Sequence, residues 1–96
     1  MNSINNNNNR EVTLSQNYPN PFNPSTKISF NLPHESNVKL AIYDMTGREI
    51  ATLVNNRLSA GNHQYDWNAS SFASGVYFFK ITAGSFSEVR KMNLIK

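Results

Sequence analysis

Apolar and polar residues alternate in short runs along most of the chain, and turn-forming residues separate one run from the next. Lys27-Ile28-Ser29-Phe30-Asn31-Leu32 places Ile28, Phe30 and Leu32 on one face of an extended segment. Pro33 ends it, because proline has no N–H to give to a ladder. Val38 to Tyr43 repeats the pattern, with Val38, Leu40 and Ile42 facing inward. Asp44-Met45-Thr46-Gly47 then reads as a turn, since aspartate accepts local backbone hydrogen bonds and glycine reaches positive φ at little cost. Glu49 to Val54 returns as a partner strand; its β-branched residues and the tight turn before it disfavour a helix over Arg48 to Leu53. Ala60-Gly61-Asn62 supplies the next turn, after which His63, Tyr65 and Trp67 share one face. A polar corner from Asn68 to Gly75 carries Phe72. Val76 to Ile81 is the most apolar run and is expected at the centre of a sheet. Ala83-Gly84 reads as a hairpin tip, and Phe86 to Ile95 as a last strand whose alternation breaks at Arg90-Lys91, which predicts a bulge there.

With Val12-Thr13-Leu14 as the opening strand the count reaches seven, at the spacing of about 8–12 residues usual in sandwiches. The expected fold is all-β, a seven-stranded antiparallel immunoglobulin-like β-sandwich with Phe30, Leu40, Ile42, Trp67, Tyr77 and Phe79 in its core. Tyr77 follows the Phe72–Gly75 corner and is expected to hydrogen-bond back to it, as a tyrosine does in many such sandwiches.

Composition narrows the picture. A chain of 96 residues has room for one core, and aromatics at 11 % of positions fill it without the help of cysteine, which is absent. Asn2 to Arg10 contains one apolar residue, Ile4, too little to offset the entropy of ordering. Residues 1–10 are therefore expected to be a flexible Asn-rich linker and residues 11–96 the folded module. No apolar run approaches the ~20 residues of a helical membrane span. No signal peptide precedes the domain, so an export signal, if there is one, is expected further upstream in a longer protein. The net charge of +3 is scattered over Lys27, Lys39, Arg48, Arg57 and Lys80, with only Arg90, Lys91 and Lys96 gathered. This is not the basic stripe of a nucleic-acid binder.

Residue patterns that could carry chemistry are few. His34 and His63 lack a second candidate ligand two or four residues away, so no metal site is expected. The carboxylates Glu11, Glu35, Asp44, Glu49, Asp66 and Glu88 form no pair in sequence, and no serine sits in a Gly-x-Ser-x-Gly elbow. The glycines fall one to a turn rather than in a phosphate-cradling cluster. No catalytic residue and no cofactor is assigned. Two other readings stay open at this point. Tyr65, Trp67, Tyr77 and Phe79 either pack the core or line the sugar-binding face of a carbohydrate-binding or spacer module on a secreted enzyme. A hydrolase using Asp66 or Glu88 with a loop serine is the second.

Four segments together resemble the type A C-terminal sorting domain of the type IX secretion system of Bacteroidota and related phyla. They are Leu14-Ser15-Gln16-Asn17-Tyr18-Pro19-Asn20-Pro21-Phe22-Asn23-Pro24-Ser25-Thr26, then Tyr43 to Ile50, Ser74 to Lys80, and Lys91-Met92-Asn93-Leu94-Ile95-Lys96. The last departs from the family's pattern at Asn93, where an apolar residue is usual. The resemblance implies a non-catalytic signal module carried behind a cargo domain through the periplasm. It implies recognition by an outer-membrane translocon, and release by a sortase-like protease that cuts near the linker. It also implies a secreted or cell-surface destination.

Two segments are candidates for recognition. In the loop from Asn17 to Ser25, prolines 19, 21 and 24 lower the entropy lost on docking, which nominates Asn20, Pro21, Phe22, Asn23 and Pro24. The alternative is a stiff crossing between two sheets with Phe22 in the core. In the last strand Arg90, Lys91 and Lys96 are nominated, each expected to be a surface side chain whose replacement by Ser shifts stability by only about 0.5 kcal/mol. The alternative there is simple sheet completion.

Overall fold

The computed structural model describes residues 11–96; the expected linker, residues 1–10, lies outside the described residues. Seven strands follow in order: β1 (Thr13–Leu14), β2 (Ser25–Leu32), β3 (Ser36–Tyr43), β4 (Glu49–Leu58), β5 (Gly61–Asn68), β6 (Gly75–Ala83) and β7 (Phe86–Leu94). All pairings are antiparallel, in a three-stranded sheet ordered β1-β2-β5 and a four-stranded sheet ordered β4-β3-β6-β7. No helix occurs among the described residues. The fold is an immunoglobulin-like β-sandwich.

Alternation dictates which faces meet. β2 turns Ile28, Phe30 and Leu32 inward, β3 turns Val38, Leu40 and Ile42, and β6 turns Tyr77, Phe79 and Ile81. β6 lies between β3 and β7, as its apolar run predicts. All six residues expected in the core are buried, Tyr77 being the most exposed at 8 %. Each such side chain contributes about 1.5–3 kcal/mol by leaving water, so the inward faces supply the main driving force.

Three expectations need correction. The bulge predicted at Arg90-Lys91 does not exist: β6 and β7 pair in unbroken register from Gly75↔Leu94 to Ala83↔Phe86. The alternation persists there with charged residues on its inner side, Glu88 and Arg90, which are ion-paired at 3.0 Å. The bulges lie instead in β4, where the register steps between Leu40 and Ala41 and again between Ile42 and Tyr43, leaving Leu53 and Ile50 as extra residues. Finally, β4 runs on past Val54 to Leu58, and the turn to β5 is Ser59-Ala60 rather than Ala60-Gly61-Asn62. Asn55-Asn56-Arg57 is polar because this part of an edge strand faces water.

Two corners are closed as expected. The Tyr77 hydroxyl donates to the Ala73 carbonyl at 2.6 Å, tying β6 to the corner before it. Asp44 Oδ1 accepts from the Thr46 hydroxyl, the Thr46 N–H and the Arg48 N–H, and Gly47 takes φ +88°. The Thr46 hydroxyl, with the Arg48 N–H next, holds the Asp44 carboxyl below the usual carboxylate range. Where β3 lies beside β4, the Thr52 hydroxyl and then Lys39 lower Glu49, and Glu49 raises Lys39 in return.

Candidate recognition surface

The loop between β1 and β2 does not carry the chain from one sheet to the other, because both strands belong to the three-stranded sheet. It makes an excursion and comes back. Its first half is fastened to β2: Tyr18 and Lys27 exchange main-chain hydrogen bonds at 2.9 Å each. Beneath them Asn17 is buried, with Nδ2 donating to Thr26 Oγ1 at 3.0 Å and to the Pro19 carbonyl at 3.2 Å. Thr26, also buried, donates its hydroxyl to the same carbonyl at 2.8 Å. A main chain rich in proline has few N–H groups, so these two polar side chains stand in for the missing ladder. The peptide bonds preceding Pro19, Pro21 and Pro24 are cis.

The second half of the loop crosses to the far sheet. Phe22 forms a parallel bridge with Leu94: its N–H donates to the Asn93 carbonyl at 3.0 Å, and its carbonyl accepts from the Ile95 N–H at 2.9 Å. Asn20 Oδ1 accepts from the Asn93 N–H at 3.0 Å, and Gln16 Nε2 donates to the Lys91 carbonyl at 2.8 Å. The Phe22 ring is 2 % exposed and sits 5.8 Å from the Trp67 ring, inside the cluster completed by Phe72 and Tyr77. The two segments nominated from the sequence are therefore one continuous seam along the edge of β7.

Within the seam the nominated residues divide. Phe22 is core, and Asn20 fastens the loop to β7. Pro21, Asn23 and Lys91 are exposed, as are Tyr18 at 81 % and Ile95 at 54 %. Pro24 is half-buried, and its carbonyl accepts from the Ala69 N–H at 2.8 Å. Arg90 is not the free surface side chain expected: besides its pairing with Glu88, its Nε donates to the Leu14 carbonyl at 3.1 Å. Lys96 is exposed but anchored, with Nζ donating to the Ser70 carbonyl at 2.6 Å and its N–H to Ser74 Oγ at 3.1 Å. Asn17, Thr26 and Gln16 lie outside the residues expected from the sequence. Their one sequence signal is polar residues of hydrogen-bonding reach flanking a proline cluster.

The other candidate features resolve as packing. Trp67, Tyr77 and Phe79 are buried between the sheets and Tyr65 is half-buried against Phe30 at 6.0 Å, so the four aromatics do not form a sugar-binding face. His63 stacks on Phe30 and bonds the Ser59 carbonyl through Nε2 at 2.8 Å. His34 is exposed, in the loop between β2 and β3. Among the described residues no group of three or more His, Cys, Asp or Glu is placed to hold a metal ion. Asp66 is exposed on β5, in register with Lys27, and Glu88 is engaged by Arg90.

No curated protein matches the chain. The family model of the secretion system C-terminal sorting domain matches residues 16–96, a span that begins at the first seam residue, Gln16, and takes in all of β2 to β7. With the proline loop, the Tyr77 corner and the last strand all inside that span, the chain belongs to the family of C-terminal sorting domains of the type IX secretion system.

Proposed function

We propose that the module is read by the outer-membrane translocon as a folded surface, the seam between the proline loop and the second half of β7, and is then cut from its cargo within residues 1–10 by a sortase-like protease. The family assignment makes the chain a type IX sorting signal. The observation that carries the finer reading is the direct bonding of Gln16, Asn20 and Phe22 to Lys91, Asn93 and Ile95. A recognition patch needs side chains that reach solvent from a hydrogen-bonded backbone, and this seam offers Tyr18, Asn23, Lys91 and Ile95 beside main chain bonded to β2 or β7.

The test is a reporter directed to the periplasm and fused to residues 11–96 in a type IX host. Tyr18→Ser, Asn23→Ser and Lys91→Ser together remove exposed side chains that no fold contact requires. The expected outcome is a reporter held in the periplasm by a module that melts as wild type. Secretion of this variant at the wild-type rate would exclude the seam as the surface that is read. A second fusion carrying residues 1–96 reports release: cleavage is expected ahead of residue 11, and a cut inside the folded module contradicts that expectation.

A further inference from the structure

β4 and β7 are the two edges of the four-stranded sheet, and they are built differently. β4 is interrupted by two bulges, which break the row of donors and acceptors another strand would need. β7 is regular throughout. The main-chain groups of β7 that point away from β6 belong to odd-numbered residues: the Lys91 carbonyl and both groups of Asn93, with the N–H of Ile95 just past the strand, are all taken up by the loop. By the two-residue period of a strand, Ser87, Val89 and the Lys91 N–H point the same way. Among the described residues these three N–H groups and the Ser87 and Val89 carbonyls have no hydrogen-bond partner. At the middle of this open half-edge Val89 is 53 % exposed.

We propose that this half-edge, Ser87 to Lys91, pairs antiparallel with the same segment of a second copy of the chain, centred on Val89. The two four-stranded sheets then join into one sheet of eight across a two-fold axis. Charge selects both the register and the occupant. Glu88 and Arg90 lie on the inner side of β7 at either flank of Val89. Centring on Val89 sets Glu88 opposite Arg90 of the second copy and Arg90 opposite its Glu88, so the existing ion pair becomes an alternating ring of four charges. The two neighbouring registers that keep the odd-numbered groups face to face set Glu88 opposite Glu88, or Arg90 opposite Arg90. Like charges directly opposite one another destabilise a strand pair. A foreign strand without that charge order would desolvate Glu88 and Arg90 with no cross-strand match, whereas the chain's own strand supplies one. The pairing is short, so a weak reversible dimer follows.

Sedimentation equilibrium of the purified 96-residue chain over a wide concentration range reads the association directly. Val89→Lys places two lysines face to face on the axis and is expected to weaken the dimer about tenfold or more, while the monomer, exposed at this position, melts as before. Val89→Cys supplies the positive arm. Residues directly opposite in a hydrogen-bonded antiparallel pair have Cα atoms about 5.5 Å apart, within disulfide reach, and the chain has no other cysteine. Oxidation is expected to cross-link this variant far faster than Asn56→Cys on the bulged edge of β4. A chain that stays monomeric throughout, a Val89→Lys variant that associates like wild type, or equal cross-linking of the two cysteine variants would overturn the proposal. Export has no part in these readouts, so this inference and the sorting reading stand or fall separately.

Discussion

Replacing Phe22 by Ala tests whether the proline loop is part of the core or a decoration on it. Phe22 is 2 % exposed, and its ring lies 5.8 Å from that of Trp67 at a tilt of 53°. Truncating a buried Phe to Ala costs about 3–5 kcal/mol, which already includes loss of the aromatic pairing and the cavity left behind. Domains of this size have a total stability of about 5–15 kcal/mol, so the change removes a large share of it. With a urea m-value of about 1.5 kcal/mol/M, the unfolding midpoint falls by roughly 2–3 M. Trp67 is the sole tryptophan and a neighbour of the site, so its fluorescence follows the transition without an added probe. Phe22→Leu keeps most of the apolar volume but loses the ring contact, and is expected to cost about 1–2 kcal/mol. A Phe22→Ala midpoint within about 0.5 M of wild type would refute the reasoning, because the loop would then be dispensable to the core.

Three further perturbations separate roles that look alike in sequence. Arg90→Ser is expected to cost about 1–2 kcal/mol by stripping the Leu14 carbonyl and Glu88 of their partner, whereas Lys91→Ser stays within about 0.5 kcal/mol; equal midpoints in urea would contradict this. Tyr77→Phe removes one hydroxyl bond to Ala73, a loss of about 1 kcal/mol or roughly 4–8 °C in Tm by calorimetry. The Asp44 carboxyl is held below its ordinary range in the folded state, so its contribution is complete at neutral pH and disappears as the pH falls through the folded-state value. The Tm gap between wild type and Asp44→Asn should therefore narrow in acid, and a gap that stays constant down to strongly acidic pH would contradict that linkage.

Much of the sandwich was legible because a period of two leaves a direct trace in the sequence. Ile28, Phe30 and Leu32, or Val38, Leu40 and Ile42, specify a strand and its buried face without reference to anything distant. At Arg90 the apolar pattern and the strand part company. Apolar residues are what mark alternation in a sequence, and β7 keeps its alternation with an inward ion pair, so a regular strand carries the signature of a broken one. The polar end of β4 was lost in the same way, since Asn55, Asn56 and Arg57 carry no apolar signal. The seam was legible as two parts and not as one whole. Its decisive bonds use the main chain of Phe22, Asn93 and Ile95, and main-chain groups are the same at every residue. Nothing in the identity of those residues announces a partner some 70 positions away.

The bonding of the proline loop to the last strand also has a consequence in time. A chain emerging from the ribosome presents Gln16 to Phe22 long before Lys91 to Ile95 exists, and the composite edge forms only when the later segment docks against the earlier. A truncated product, or one that has folded without its final strand, contains every residue of the loop and still lacks the surface. Any receptor that grips this edge thereby distinguishes modules that have docked their last strand from those that have not, and reads the completion of the sandwich as well as an address.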